Sequence, residues 1–433
     1  MIMKKLIVLL SLLMLVAPCV VTAQDIVHPP LGQSVRSADG TFTITLVSKK
    51  QQYSYAVADT ATLDRDIRSP KSVNIHPNGK KYYVNSLEGA RTVVYEAGTN
   101  KKLAVINHNF TEADSALWSK PSGLFEFTHY TERLNTFYGK PVESAFSHGG
   151  RYLWVPYYRR SYDINAQDPS AVAIIDTQTD KIIRLMETGP LPKMIAVSPD
   201  NKYVAITHWG NNTVGIIEIK SNAPADWHYV SCVTVGYKLK LDFSLEEPVD
   251  RDVNSGFCLR GTAFTPDNHY LLVGCMGGSG GIAVIDVAQA SYLGTVHGMM
   301  SNLRHLVIRN GYLYLSINKL GYVQKAPLSA FLEAVGKMEN KRGEFKEWVN
   351  CKVEAGARTI DITPDGRYLV AACNFGSCLT VVDAHTMAVV ATIPADSYPV
   401  GLDISKDGRF VYTTSQGRSG GGGNCVDIFR MEY

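Results

Sequence analysis

Charge is scarce in this 433-residue chain: Asp, Glu, Lys and Arg make up 19% of it, against about 25% in ordinary soluble domains. The 43 Lys+Arg nearly cancel the 40 Asp+Glu, so bulk charge does not hold the chain to nucleic acid or to a membrane surface. Beyond residue 23 no apolar run approaches the roughly 20 residues that span a bilayer, and no transmembrane segment is expected. The cysteines show no CxxC and no HxxxH partner, which argues against a zinc site. The glycine runs Gly278–Gly281 and Gly420–Gly423 are followed neither by a helix pattern nor by Gly-Lys-Ser/Thr, so they are loops rather than phosphate cradles. No cofactor is expected, and no nucleic-acid partner. At 45% hydrophobic the chain buries a large core, and its 36 Gly and 23 Tyr suit many short strands joined by tight turns.

Met1 to Ala23 reads as a secretory signal: Lys4 and Lys5 supply the positive end, Leu6 to Val16 the apolar stretch, and Val21-Thr22-Ala23 a small-residue cleavage site. Export to the periplasm or the extracellular space follows. Cys19 raises a lipoprotein alternative, but Pro18 stands where a small residue is usual. Seven cysteines follow the leader: Cys232, Cys258, Cys275, Cys351, Cys373, Cys378 and Cys425. Export permits disulfides, and the one bridge suggested by proximity joins Cys373 to Cys378 around a glycine-containing turn.

Internal repetition sets the architecture. Ser72-Val-Asn-Ile-His-Pro-Asn-Gly-Lys-Lys-Tyr-Tyr-Val84 returns as Ile195-Ala-Val-Ser-Pro-Asp-Asn-Lys-Tyr-Val-Ala205, Thr262-Ala-Phe-Thr-Pro-Asp-Asn-His-Tyr-Leu-Leu272 and Ile360-Asp-Ile-Thr-Pro-Asp-Gly-Arg-Tyr-Leu-Val370. Looser copies begin at Ser144, Leu306 and Leu402, which makes seven. Each copy is an alternating strand, a Pro-Asp-Gly type turn and a second alternating strand. Third strands such as Ala171–Asp176 and Leu379–Asp383 follow, then fourth strands such as Ala388–Ile393. Four antiparallel strands repeated seven times give an all-β, seven-bladed β-propeller over residues 36–433, after a linker at 24–35. The last copy stops after three strands, so Phe42–Val47 is expected to close the ring beside Cys425–Phe429. Residues 107–140, 220–258 and 328–339 are insertions, the third a short helix. A monomer is expected.

The Ser/Thr-Pro-Asp-Gly-Arg/Lys-Tyr turn, followed by a Val/Ala strand and a Thr-Val-x-Val/Ile-Ile-Asp strand, resembles the YVTN-type, YncE-like β-propeller family. The likeness runs from about Ser72 to the end of the sequence. It implies the propeller fold and an extracytoplasmic binding scaffold, bordering on lactonase-type propellers. Leu320–Lys325 departs from the pattern by lacking the terminal Asp, and the long insertions imply an altered rim.

The residues just before each repeat phrase are expected to ring one mouth of the central channel. They are Lys71, Val142, Lys193, Arg260, Arg304, Arg358 and Val400, five of the seven cationic. Single cations of this kind cap strands or pair with carboxylates, for which Glu246, Glu247, Asp250 and Asp252 are available. Five together repel one another unless an anion or an acidic insertion fills the space. The loops between second and third strands add Tyr158, Arg159, His208, Trp209, Asn318 and Asn374 to the same face: flat apolar rings beside planar donors, suited to a carboxylate or carbohydrate-like ligand. The function expected is therefore a binding or interaction protein whose basic, aromatic-rimmed funnel meets an anionic or polar ligand or a protein partner. The alternative is a lactonase-like hydrolase or acidic-sugar lyase drawing on His208, His297 or His305 with Glu126 or Glu132. No nucleophile motif or paired-carboxylate spacing supports it, and no catalytic residue is assigned.

Overall fold

The computed structural model describes residues 26–52, 62–418 and 423–433. The leader Met1–Ala23 lies outside these. Among the described residues no helix is long and apolar enough to cross a membrane.

The repeated phrase folds as it does because it is nearly self-sufficient in hydrogen bonds. In Ser198-Pro-Asp-Asn201 the Asn201 N–H closes the turn onto the Ser198 carbonyl at 2.9 Å, and Asn201 takes φ 55°. The Asp200 carboxylate accepts from the Ser198 hydroxyl and the Lys202 N–H, while Ser198 Oγ accepts from the Tyr203 N–H. Thr265/Asp267/Tyr270, Thr363/Asp365/Tyr368 and Ser405/Asp407/Phe410 repeat this set. The fourth turn position is left-handed in each, at φ 73° in Gly79, 61° in Asn268, 75° in Gly366 and 70° in Gly408, which is why only Gly or Asn stands there.

Seven sheets result, one per blade. The inner strands of blades 1 to 7 are Pro70–Ile75, Ala145–Ser147, Pro192–Val197, Leu259–Phe264, Leu303–Arg309, Ala357–Ile362 and Pro399–Ile404. Each pairs antiparallel with the strand after the turn. Blade 7 closes as anticipated: Thr43–Gln51 pairs antiparallel with Cys425–Glu432, Leu46 opposite Phe429 and Lys49 opposite Asp427. Ser34–Arg36, which straddles the expected boundary between linker and propeller, adds a fifth strand to that sheet. Apolar residues from facing blades form a cluster at each of the seven junctions. Ile44, Leu46 and Phe429, all fully buried, join Tyr368, Val370 and Leu402 between blades 6 and 7.

The insertions partly depart from expectation. The segment 107–140 contributes two strands to blade 2, Asn109–Phe110 and Phe137–Pro141, besides short 3-10 turns. Within 220–258, His228–Thr234 is the outer strand of blade 3, so the true excursion begins only after Thr234. Trp227, 1% exposed and stacked on Trp154 at 5.2 Å, fixes that strand to its neighbour. The third insertion carries the expected helix, Leu328–Gly336, which packs Leu328, Phe331 and Val335 onto blades 4 and 5.

Cys373 and Cys378 stand directly opposite each other on adjacent strands of blade 6, but both are free thiols. The suggested bridge is therefore absent. The remaining described cysteines are free as well.

Candidate functional site

The basic column is held by a device that the repeat pattern does not reveal. In each of six inner strands the pairing register slips by one residue, and the slip brackets a column position: Lys71, Lys193, Arg260, Arg304, Arg358 and Val400. Five of them are single extra residues with no partner across the ladder, and in blade 4 the slip spans Arg260 and Gly261 together; this is the situation in which a bulge re-aims a side chain. The pleat that Ile360 and Ile362 follow is thus interrupted at Arg358. Hydroxyls of neighbouring blades fasten these backbones: Ser72 donates to the Val142 carbonyl at 2.8 Å, Ser316 to Arg358 at 2.6 Å, and Thr359 to Val400 at 2.6 Å. Gly401 is obligatory in the same ring, since a Cβ there would lie 2.9 Å from the Lys71 carbonyl oxygen.

All five cations converge. Burial and the repulsion of Arg358, Arg260 and Arg304 hold the Lys71 ammonium well below its ordinary range. Arg304 is pushed down by burial and by Arg358 and Arg260, and Arg358 falls to about 10 through burial and Arg260. Lys193 drops to about 7 because burial outweighs the pull of Asp252. Arg260 and Arg358 are each 4% exposed.

Two of the five have carboxylate partners. Lys193 donates to Asp252 at 2.6 Å, and Arg260 to Glu143 at 3.4 Å. Lys71, Arg304 and Arg358 have no carboxylate within ion-pair distance among the described residues. Among the described residues Arg304 reaches the Met276 sulfur, at 3.6 Å, and Arg358 lies over the Tyr398 ring at 5.8 Å and hydrogen-bonds to that side chain. The Nε–H groups of Arg304 and Arg358 are buried without an acceptor.

The anticipated rim residues separate into two groups. Tyr158 and Trp209 belong to the mouth: the Lys193 ammonium sits 4.0 Å from the first ring centre and 5.0 Å from the second. Trp209 also donates to the Asp252 carbonyl, and the Tyr158 phenol lies against the Asp252 carboxylate. Arg159 turns aside to the Ile164 carbonyl while keeping contact with the Tyr158 ring. Asn318 and Asn374 bond to each other at 3.1 Å at the junction of blades 5 and 6, both buried. Arg418 donates to the Asn374 carbonyl and lies over Phe375 and Tyr398.

His208 is not on the wall. It is fully buried within blade 3, its ring bonded to the Thr188 and Thr213 hydroxyls and to the Gly189 N–H, and burial lowers it to about 3. His305 accepts from the Ile360 N–H between blades 5 and 6 and is lowered to about 4. His297 ends the fourth strand of blade 4, and Glu132 is exposed beside Arg133. Glu126 lines a separate cavity of about 300 Å³ between the two long insertions, with Phe125, Lys238 and Leu239. Glu143 and Tyr398 were not singled out from sequence. The available signal was position: Glu143 follows Val142 in the column and Tyr398 precedes Val400 by two.

Further along the same inner strands Asp361 and Asp403 come together. Asp403 accepts from the Ile75 N–H of blade 1 at 2.6 Å, and Arg309 lies 3.9 Å from Asp361. Burial raises both, Asp361 to about 6 and Asp403, which also feels Asp361, to about 8.

Among solved structures, hydrazine synthase of Kuenenia stuttgartiensis is similar, with a TM-score of 0.59 at 16% identity over 87% of this chain and 99% of that one. At that identity the likeness establishes the propeller fold and nothing of activity. No family model matches the chain, and no curated protein is significantly similar to it.

Proposed function

We propose that this protein is an exported, non-catalytic binding protein whose propeller mouth receives an anionic or polar ligand, or the acidic part of a protein partner. One observation carries the reading: five cations meet at one mouth and, among the described residues, only two have carboxylates beside them. Removing a cation from water costs several kcal/mol, and a neighbouring like charge adds to that cost. An arrangement that leaves the half-buried Arg304 and the buried Arg358 without a carboxylate among the described residues is an expensive way to build a scaffold and an effective way to build an anion receptor. The leader and the resemblance to YVTN-type propellers are in keeping with an extracytoplasmic binding role. The lactonase or lyase alternative has no observation of its own in its favour, because His208 and His305 are engaged inside the blades.

The test is a thermal-shift screen of glycans, lactones and peptidoglycan fragments, neutral and acidic, with product analysis of every hit. Acidic hits that bind without turnover, and that are weakened by Arg260→Gln, are the expected result. Turnover of any hit, or binding indifferent to Arg260, would overturn the reading.

A further inference from the structure

The following rests on the anion-receiving reading of the mouth and narrows it to a ligand class. Paired and unpaired cations are not mixed around the ring. Lys193 and Arg260, with their carboxylates Asp252 and Glu143, belong to blades 3 and 4. Arg304, Arg358 and Lys71 belong to blades 5, 6 and 1, and blade 7 between them places the neutral Val400 in the column. Tyr398, leading into blade 7, is bracketed by two guanidinium groups: Arg358 at 5.8 Å and Arg418 at 5.3 Å from its ring centre. Arg304, Arg358 and Arg418 each keep a buried Nε–H without an acceptor among the described residues.

We propose that this half of the mouth seats a compact dianion, one small group carrying two negative charges on neighbouring oxygens, as a sulfate, a phosphate monoester or a short dicarboxylate does. The charge count leads there. A guanidinium stays protonated at any working pH. Within the column Arg304 and Arg358 are the two guanidinium groups with no carboxylate within ion-pair distance among the described residues, and each keeps a buried Nε–H without an acceptor. Two negative charges match them. A monoanion leaves one guanidinium stranded, and a neutral sugar leaves both. Geometry points the same way, since planar guanidinium forks with free N–H groups pair with carboxylate and phosphate oxygens better than with any neutral acceptor.

The experiment is isothermal titration of the whole chain with pairs of probes that differ by one charge on the same body: sulfate against methyl sulfate, and malonate against monomethyl malonate. The dianion of each pair should bind at least about tenfold more tightly. Arg304→Gln and Arg358→Gln should each remove most of that advantage, and Arg358→Lys should restore only part of it because the fork is lost. Thermal melts identify any variant that fails to fold, and Arg358→Lys remains informative if the glutamine variants do. A preference for sulfate over malonate would identify a tetrahedral oxyanion as the source, and the reverse a dicarboxylate. Equal affinity of dianion and monoanion, a dianion affinity untouched by these variants, or no binding of either dianion would overturn the inference. Acidic hits from the wider screen that still depend on Arg260 would leave the binding function standing in every one of those cases.

Discussion

Lys193 and Asp252 face each other at 2.6 Å, the lysine on an inner strand and the aspartate on an excursion 59 positions further along the chain. The excursion therefore delivers into the mouth the kind of group the mouth is built to receive. Asp252 is itself held below the usual carboxylate range by Lys193 and Tyr158, against the opposing effect of its burial.

Removing this carboxylate should be legible at Lys193. With Asp252→Asn the carboxylate attraction opposing burial disappears, so the ammonium, already down at about 7, should titrate lower still. Nitrogen-detected NMR of lysine side chains across pH 5–9 reads it. An unchanged titration would mean that the pair contributes little. The sign also fixes a stability effect: the unfolded lysine titrates near 10.5, so between about 7 and 10.5 the unfolded chain binds the extra proton. This group's contribution to stability rises with pH in that window.

Asp403 has the opposite sign. Its carboxyl holds its proton to about 8, against 3.8 unfolded, so the stability it contributes is complete below about 4 and is lost as pH rises through 8. Asp403→Asn should keep one side-chain oxygen for the Ile75 N–H and abolish the titration. Melting temperatures of the variant and parent should diverge in the variant's favour from pH 5 to pH 9. Parallel curves would refute the assignment.

Acid should act through the buried imidazoles. His108 bonds to Thr92 and Tyr157, His208 to Thr188 and Thr213, and each is lowered to about 3 from 6.5. Depressed histidines stabilise the fold above their unfolded value, and that contribution is lost as pH falls from 6.5 towards 3. Urea midpoints should fall over that interval. His208→Asn should start lower and fall less steeply.

The ring closure can be measured by core truncation. Leu46, fully buried against blade 6, should cost about 2–5 kcal/mol as Leu46→Ala in urea unfolding. Leu103, 45% exposed, should stay within about 0.5 kcal/mol when changed in the same way.

The repeat turn was readable from sequence because its hydrogen bonds are local: Ser198, Asp200 and Tyr203 satisfy one another within six residues. Once the copies were aligned, the cations fell into one column because equivalent strands start at equivalent heights. The register slip at Arg358 was not readable, because a bulge is a relation between two strands and leaves no mark on one. His208 was misplaced for a related reason. It precedes a loop in sequence, yet it is the last paired residue of its strand and turns into the blade, opposite Thr213. The strand His228–Thr234 was hidden by its polar residues, its burial depending on Tyr229 and Val233 alone. Glu143 became visible only when the path of blade 2 brought it to Arg260.

The pairing of Thr43–Gln51 with Cys425–Glu432 makes the order of synthesis matter. Thr43–Gln51 has only the short strand Ser34–Arg36 beside it until the latest strand has been made, so the edge that carries Ile44 and Leu46 waits for its main partner while six blades assemble. A long wait with an apolar edge unmet is an opening for another copy of the same chain. Two nascent molecules that trade this strand would each complete the other's seventh blade with the same contacts, at the cost of becoming interlocked. Crowded refolding should therefore yield exchanged dimers, and dilution should suppress them.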